Sequence, residues 1–246
     1  VQQLLPEHRI LDVEELYLGL TLPTGRHRPH VALGMVATLD GAAALDGDTS
    51  RLGQEADGIA FRRLRGASDA ILVGAGTVRV ENYGPPKATA TRRADRTARG
   101  LAERPRMVVV TGSLSLEPDH RLFGDPASRP VVLTHEGAPA AAANALSPIA
   151  DVVRVGDGDV DLGAGLVHLA GIGIRHVLCE GGPTLNGSLL AADLVDEVFV
   201  TVSPLAAGGP ASRIIASEES GRPRSFVVTS LHEHRDELII RYSRDR

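Results

Sequence analysis

Two short stretches carry residues whose types and spacing can do chemistry. In "VLCEGGPTLNGSLLAADL" (177–194) an apolar run ends at Glu180. Gly181, Gly182 and Pro183 then lead into a segment with helical spacing. "ILVGAGTV" (71–78) repeats the arrangement with Gly74, Ala75, Gly76 and Thr77. A strand-to-helix turn without β-carbons lets backbone N–H groups approach an anion, and a helix start favours negative charge by about 0.3–1 kcal/mol. Pro183 suits the first helical position, where a missing N–H is harmless. Thr184 is expected to cap that helix or to donate to a phosphate. The alternative is that the glycines serve sharp turns and nothing else. Two such turns, each after a buried strand, fall where open α/β sheets bind ligands.

Acids stand beside these turns. Asp40 closes the apolar run of "VATLDG" and precedes Gly41. It is either a turn residue or a partly desolvated acid that orients or protonates a heterocycle. Glu180 is placed similarly, and Cys179 before it reads as a small packed hydrophobe. His232 and His234 of "HEH" share one face of a strand but find no third ligand in the pattern, so they read as a solvated hairpin and no metal is expected. There is no G-x-S-x-G, H-E-x-x-H or C-x-x-C, which leaves hydrolase and structural-zinc readings unsupported. "GAGTVR" lacks the third glycine of the Rossmann fingerprint, and no P-loop is present. After "MVVV" come Thr111, Gly112 and Ser113, with no acid to bind a ribose 2′-hydroxyl and repel a 2′-phosphate. With the basic stretch just upstream, this favours NADPH over NADH.

The elements that position these residues follow from hydrophobic pattern. "HVALGMVATLDGAAA" (30–44), "DAILVGAGTV" (69–78), "MVVVTGS" (107–113), "PVVLTH" (130–135) and "DVVRVG" (151–156) contain short, continuous apolar runs, as strands buried on both faces have. Helical spacing marks 55–68, with Ile59 and Leu64 inward, and also 162–174 and 184–194. "DEVFVTVSPLAAG" (196–208) reads as a further strand. "SFVVTSLHEHRDELIIRYS" (225–243) alternates on both sides of "HRDE", as an antiparallel hairpin does. Residues 1–28 read as an N-terminal arm, with Asp12 and Glu15 spaced as a weak capping box, and 29–246 as one α/β domain with a mostly parallel sheet. "PPKATATRRADRTARGLAERPR" (85–106) sets Lys87, Arg92, Arg93, Arg96, Arg99, Arg104 and Arg106 against Asp95 and Glu103, and reads as an exposed basic excursion. The 26 Lys and Arg against 31 Asp and Glu give a net charge of −5, which argues against a nucleic-acid partner. One cysteine allows no internal disulfide, and no run is long enough to span a membrane. A cytoplasmic protein without a membrane or nucleic-acid partner is the expectation.

Taken together, "VALGMVATLDGAAA", "FRRLRGASDAILVGAGTVRVENYGP" and "VLCEGGPTLNGSLLAADLVDEVFVTVSPLAAGG" resemble the reductase domain of bacterial riboflavin biosynthesis. The resemblance covers about residues 30–243. It implies a dihydrofolate-reductase-like fold, a homodimer, and NADPH-dependent reduction of a 5-amino-6-ribosylaminouracil phosphate. The zinc signature of the deaminase domain that accompanies this reductase in many bacteria is missing. The resemblance implies that Gly74, Ala75, Gly76 and Thr77 lie along the cofactor. It further implies that Gly181, Gly182, Pro183, Thr184 and Leu185 hold its pyrophosphate, with Glu180 toward the nicotinamide and Thr111, Gly112 and Ser113 toward the adenosine. Thr38, Asp40, Ala42, Glu81 and Asn82 fall at the substrate. Asp40 is the expected orienting acid and Glu81 a second. Two departures stand out. Ala42 occupies a place where the family usually has a lysine, and "VENYGP" puts Glu81 and Asn82 where it usually has two aspartates. The altered pocket leaves dihydrofolate or a related pterin as an alternative substrate, and an NADPH-binding protein with little turnover as an alternative function.

Overall fold

The computed structural model describes residues 1–25, 27–45, 47–49, 51–217 and 222–245. In chain order the first strands are β1 (Gln2–Leu5), β2 (Arg9–Ile10), β3 (His30–Ala37), β4 (Ala70–Gly74), β5 (Arg106–Val110) and β6 (Val131–Thr134). They are followed by β7 (Asp151–Arg154), β8 (His176–Cys179), β9 (Glu197–Val202), β10 (Phe226–His234) and β11 (Glu237–Arg244). The helices are α1 (Glu55–Ala67), α2 (Ala75–Val80), α3 (Ala90–Ala98), α4 (Ala140–Leu146), α5 (Leu162–Gly171) and α6 (Pro183–Ala191). The chain divides into two compact units. One comprises Val1–Thr21, Val31–Leu64 and Cys179–Arg246, and the other Leu22–His30 and Arg65–Leu178.

In the first unit the strand order is β2-β1-β10-β11-β9-β3. The β9–β3 pair is parallel and the others are antiparallel. β10 and β11 form the expected hairpin. Its two turn residues, Arg235 and Asp236, both take positive φ (51° and 68°), as a two-residue loop matched to strand twist requires. The segment 1–21 is woven into this unit. β1 pairs with β10, and the Asp12–Glu15 capping box opens a single 3₁₀ turn at Val13–Glu15. Leu16 is fully buried against Ala56, Ile59, Ala60 and Ile239. The Tyr17 ring stands edge-on to Phe199 and His232. His232 is 3% exposed and therefore not part of a solvated hairpin. Alternation along β10 turns it toward Tyr17 and away from water.

The second unit is an α/β layer in which β8, β4, β5, β6 and β7 lie in that order, with β4 to β7 parallel. Ile71, Val73, Met107, Val109 and Val132 of these strands pack with Val78, Leu122 and Leu146 in one cluster. The continuous apolar runs of the sequence thus become strands covered on both faces. The basic excursion is only partly exposed. Within α3, Arg96 is 2% exposed, and its guanidinium donates to the carbonyls of Arg65, Gly66, Ser68 and Ala102 at 2.8–3.1 Å. Arg93 pairs with Glu103, Arg104 with Asp125, and Arg106 with Asp151. Charge proximity along the sequence had suggested a free basic face. The structure spends most of that charge internally. Among the described residues no helix is long and apolar enough to cross a membrane.

Candidate functional site

In the first unit, the residues expected at a ligand lie in the turn that follows β3 and in the turn from Cys179 into α6. Thr38, 2% exposed, organises the turn after β3. Its amide donates to Ala42 O (3.0 Å), the Ala42 amide donates to its Oγ1 (2.9 Å), and Oγ1 donates to Asp40 (2.6 Å). Asp40 also accepts from the amides of Ala207 (3.0 Å) and Gly208 (2.7 Å), in the connection that follows β9. The Thr38 hydroxyl and these two amides hold the Asp40 carboxyl well below the usual carboxylate range. The side chain is exposed and not partly desolvated. A group that stays ionised while its oxygens serve three donors is a clamp, and a poor proton donor. This corrects the expectation of a desolvated acid there.

The turn after β8 carries the second set. Cys179 is fully buried, and burial pushes its thiol up to about 12, so it is an inert, packed sulfhydryl. Glu180 follows, 7% exposed. Gly181 takes φ +92°, a conformation that side chains resist. Gly182 is the N-cap of α6 and no side chain caps the helix, so Thr184 sits inside the first turn instead of capping it. The amides of Thr184 and Leu185 precede the first intrahelical acceptors, as at every helix start. The nine-residue α6 thus offers uncapped donors and the positive end of its dipole at one spot. Asn186, fully buried, accepts from the Cys179 thiol (3.3 Å) and donates to Ile214 O (2.8 Å).

In the second unit, β4 and β5 pair in register with Gly74 beside Val110. The turns that follow them therefore share one carboxyl edge. Gly74 is the N-cap of α2, and Ala75, Gly76 and Thr77 are its first residues. That helix has six residues, so its dipole contributes less than that of α6. Glu81 is exposed at the C-cap of α2, and Asn82 next to it takes φ 48°. Neither is buried in a pocket of its own unit. Thr111 is buried and accepts from the Leu114 amide (3.0 Å), while Gly112 and Ser113 are exposed.

Three residues were passed over in the sequence. His135 follows β6, its ring 3.7 Å from where a β-carbon on Gly112 would stand. A histidine directly after a buried strand was the available signal. Asn186 and Arg213 had none: their roles depend on where the long connection after β9 returns. Among the described residues no group of three or more His, Cys, Asp and Glu side chains is placed to hold a metal ion.

With this geometry in view, residues 29–234 match the RibD C-terminal domain family. The chain belongs to that family. A relative within reach of direct alignment is the 2,5-diamino-6-ribosylamino-4(3H)-pyrimidinone 5′-phosphate reductase of Methanothermobacter thermautotrophicus. It is 36% identical over 192 residues, covering 78% of this chain and 85% of that one. The reductase of the same name from Archaeoglobus fulgidus is 33% identical over 194 residues, covering 78% and 88%. Among solved structures, a pyrimidine reductase-like protein from Corynebacterium diphtheriae superposes with a TM-score of 0.85 at 23% identity, covering 96% of this chain and all of that one. The fold of that solved structure is thus shared across almost the whole chain.

Proposed function

We propose that this chain is an NADPH-dependent reductase of a ribosylaminopyrimidine 5′-phosphate in riboflavin biosynthesis. The observation that carries the reading is the uncapped start of α6 behind Gly181 and Gly182, in a chain whose named relatives are reductases of that substrate class. Bare amides at Thr184 and Leu185 fit a diphosphate, because they lack both a side-chain cap and a β-carbon in front of them. Ala75, Gly76 and Thr77 are the corresponding backbone in the second unit, and Thr111 to Ser113 offer hydroxyls without an acid. The basic excursion adds little to the preference for NADPH, since Arg96 and its neighbours are engaged elsewhere. When bound, the reduced nicotinamide supplies hydride. Asp40 holds the substrate loop against residues 207 and 208 and keeps its charge. Glu180, buried next to Gly181, is the acid we assign to the nicotinamide end, as proton donor or as the group that orients one. Glu81 stands exposed and at most meets substrate from outside.

The pterin alternative loses its basis here. The relatives named above act on ribosylaminopyrimidine phosphates, and Asp40 already accepts three hydrogen bonds from the chain. A homodimer fits the apolar pattern of β11. Ile239 is 1% exposed on one face, while Leu238 on the other is 36% exposed and stands opposite Val202 of β9. A test of the whole reading is oxidation of NADPH, followed by its absorbance, with the ribosylaminopyrimidine phosphate and with dihydrofolate. Turnover is expected with the first only, and faster with NADPH than with NADH. Tight NADPH binding by fluorescence titration without oxidation would replace the reductase by a binding protein. A single-chain mass in sedimentation would remove the dimer alone.

A further inference from the structure

The connection from β9 to β10 returns along both loops of the first unit's site. The Ala43 amide donates to Ser212 O (2.8 Å), and Ala42 bridges antiparallel to Arg213. A few residues on, the Ala216 amide donates to Pro183 O (3.1 Å), and the buried Asn186 side chain donates to Ile214 O (2.8 Å). Residues 212–217 are therefore a strap. One end is tied to the turn that Thr38 organises, and the other to the first turns of α6.

The bridge decides where Arg213 points relative to Ala42. Directly opposed residues of an antiparallel pair send their β-carbons to the same face, about 4.5–5.5 Å apart. Ala42 is 5% exposed and brings only a methyl group. Arg213 is exposed, and its guanidinium makes no ion pair or hydrogen bond among the described residues. The turn that carries Ala42 also carries Asp40, linked to it through the Thr38 hydroxyl. One fixed negative group, and one positive group without a partner among the described residues, thus stand on a turn and its partner strand. A phosphate dianion would meet the carboxylate. A flat, neutral heterocycle with a ring carbonyl on its edge offers the guanidinium an acceptor and brings no charge against Asp40.

We infer that Arg213 binds the carbonyl edge of the substrate's pyrimidinone ring and determines specificity for it. The inference rests on the reductase reading above. A guanidinium presents planar paired donors, which suit a carbonyl and its neighbouring ring nitrogen better than a point charge does. The backbone that carries it is anchored on both sides, at Ser212 and Arg213 and at Ile214 and Ala216.

The test compares wild type with Arg213→Ala and Arg213→Lys. Both the ribosylaminopyrimidine phosphate and its dephosphorylated nucleoside are used, by steady-state NADPH oxidation and by calorimetric binding. For Arg213→Ala, KM is expected to rise about 10- to 100-fold on both substrates, the range of a lost charge-assisted hydrogen bond. NADPH affinity and thermal midpoint should stay at the wild-type value, and Arg213→Lys should recover part of the loss. A penalty confined to the phosphorylated substrate would mean that the guanidinium serves the phosphate, and would overturn the assignment. An unchanged KM on both would overturn it too, as would a parallel loss of NADPH affinity, which is what a merely structural residue gives. If wild type itself neither binds nor reduces either substrate, the reductase reading fails and takes this inference with it. Wild-type turnover with an indifferent variant defeats Arg213 alone.

Discussion

The turn after β8 and the turn after β4 look alike in sequence, yet the chain asks different things of their glycines. Behind β8, Gly181 takes a φ of +92°. A β-carbon on Gly187 would lie 2.0 Å from Ala216 O, inside the strap. Folding alone accounts for both residues. Behind β4, Gly76 lies in the right-handed first turn of α2, exposed, with nothing within 4 Å of where a β-carbon would stand. Nothing in the fold requires glycine there. The explanation by sharp turns therefore covers the first region and fails for the second. At Gly76 the cofactor proposed above supplies a reason for glycine that the contacts of the chain do not.

Substitutions can break or sharpen that contrast. Gly187→Ala should have the largest effect, about 3 kcal/mol of stability lost in denaturant unfolding, because backbone and not a flexible side chain must give way. A stability unchanged within error would show that the strap is not seated on α6. Gly181→Ala should cost about 1–3 kcal/mol through backbone strain, since Met35 at 3.6 Å leaves room for the methyl itself. Gly76→Ala should have the smallest effect on stability, neutral or a gain of about 0.5–1 kcal/mol from helix propensity. It should nonetheless weaken NADPH in a fluorescence titration. A variant that is both stable and fully competent for NADPH would return Gly76 to the status of an ordinary helix residue.

Much of the fold was legible because the relevant signals are local. Continuous runs such as "MVVV" and "VVLT" became parallel strands, and "HRDE" became the hairpin turn, since hydrophobic period and turn chemistry act within a few residues. The site was legible where a motif carries its own geometry, as Gly181 to Leu185 do. It was not legible where function depends on a partner far along the chain. Asp40 looked like an available acid until Ala207 and Gly208 were found donating to it. Arg213 looked like one of many surface arginines until the bridge set it opposite Ala42. His232 looked solvated because the segment that covers it, around Tyr17, precedes it by more than two hundred residues. Strand β1 escaped notice for the same reason: "QQLL" alternates too weakly to declare a strand without β10 beside it.

Arg96 has a practical consequence. Anyone who wished to lower the isoelectric point of this protein would begin by neutralising the arginine-rich stretch, where charge looks expendable. At that one position the guanidinium is a rivet through four peptide oxygens, at the end of α1 and beyond α3. Withdrawing it would leave those oxygens without their donor in a place water does not easily reach. A residue that reads as surface decoration is a fastener for the chain on either side of it.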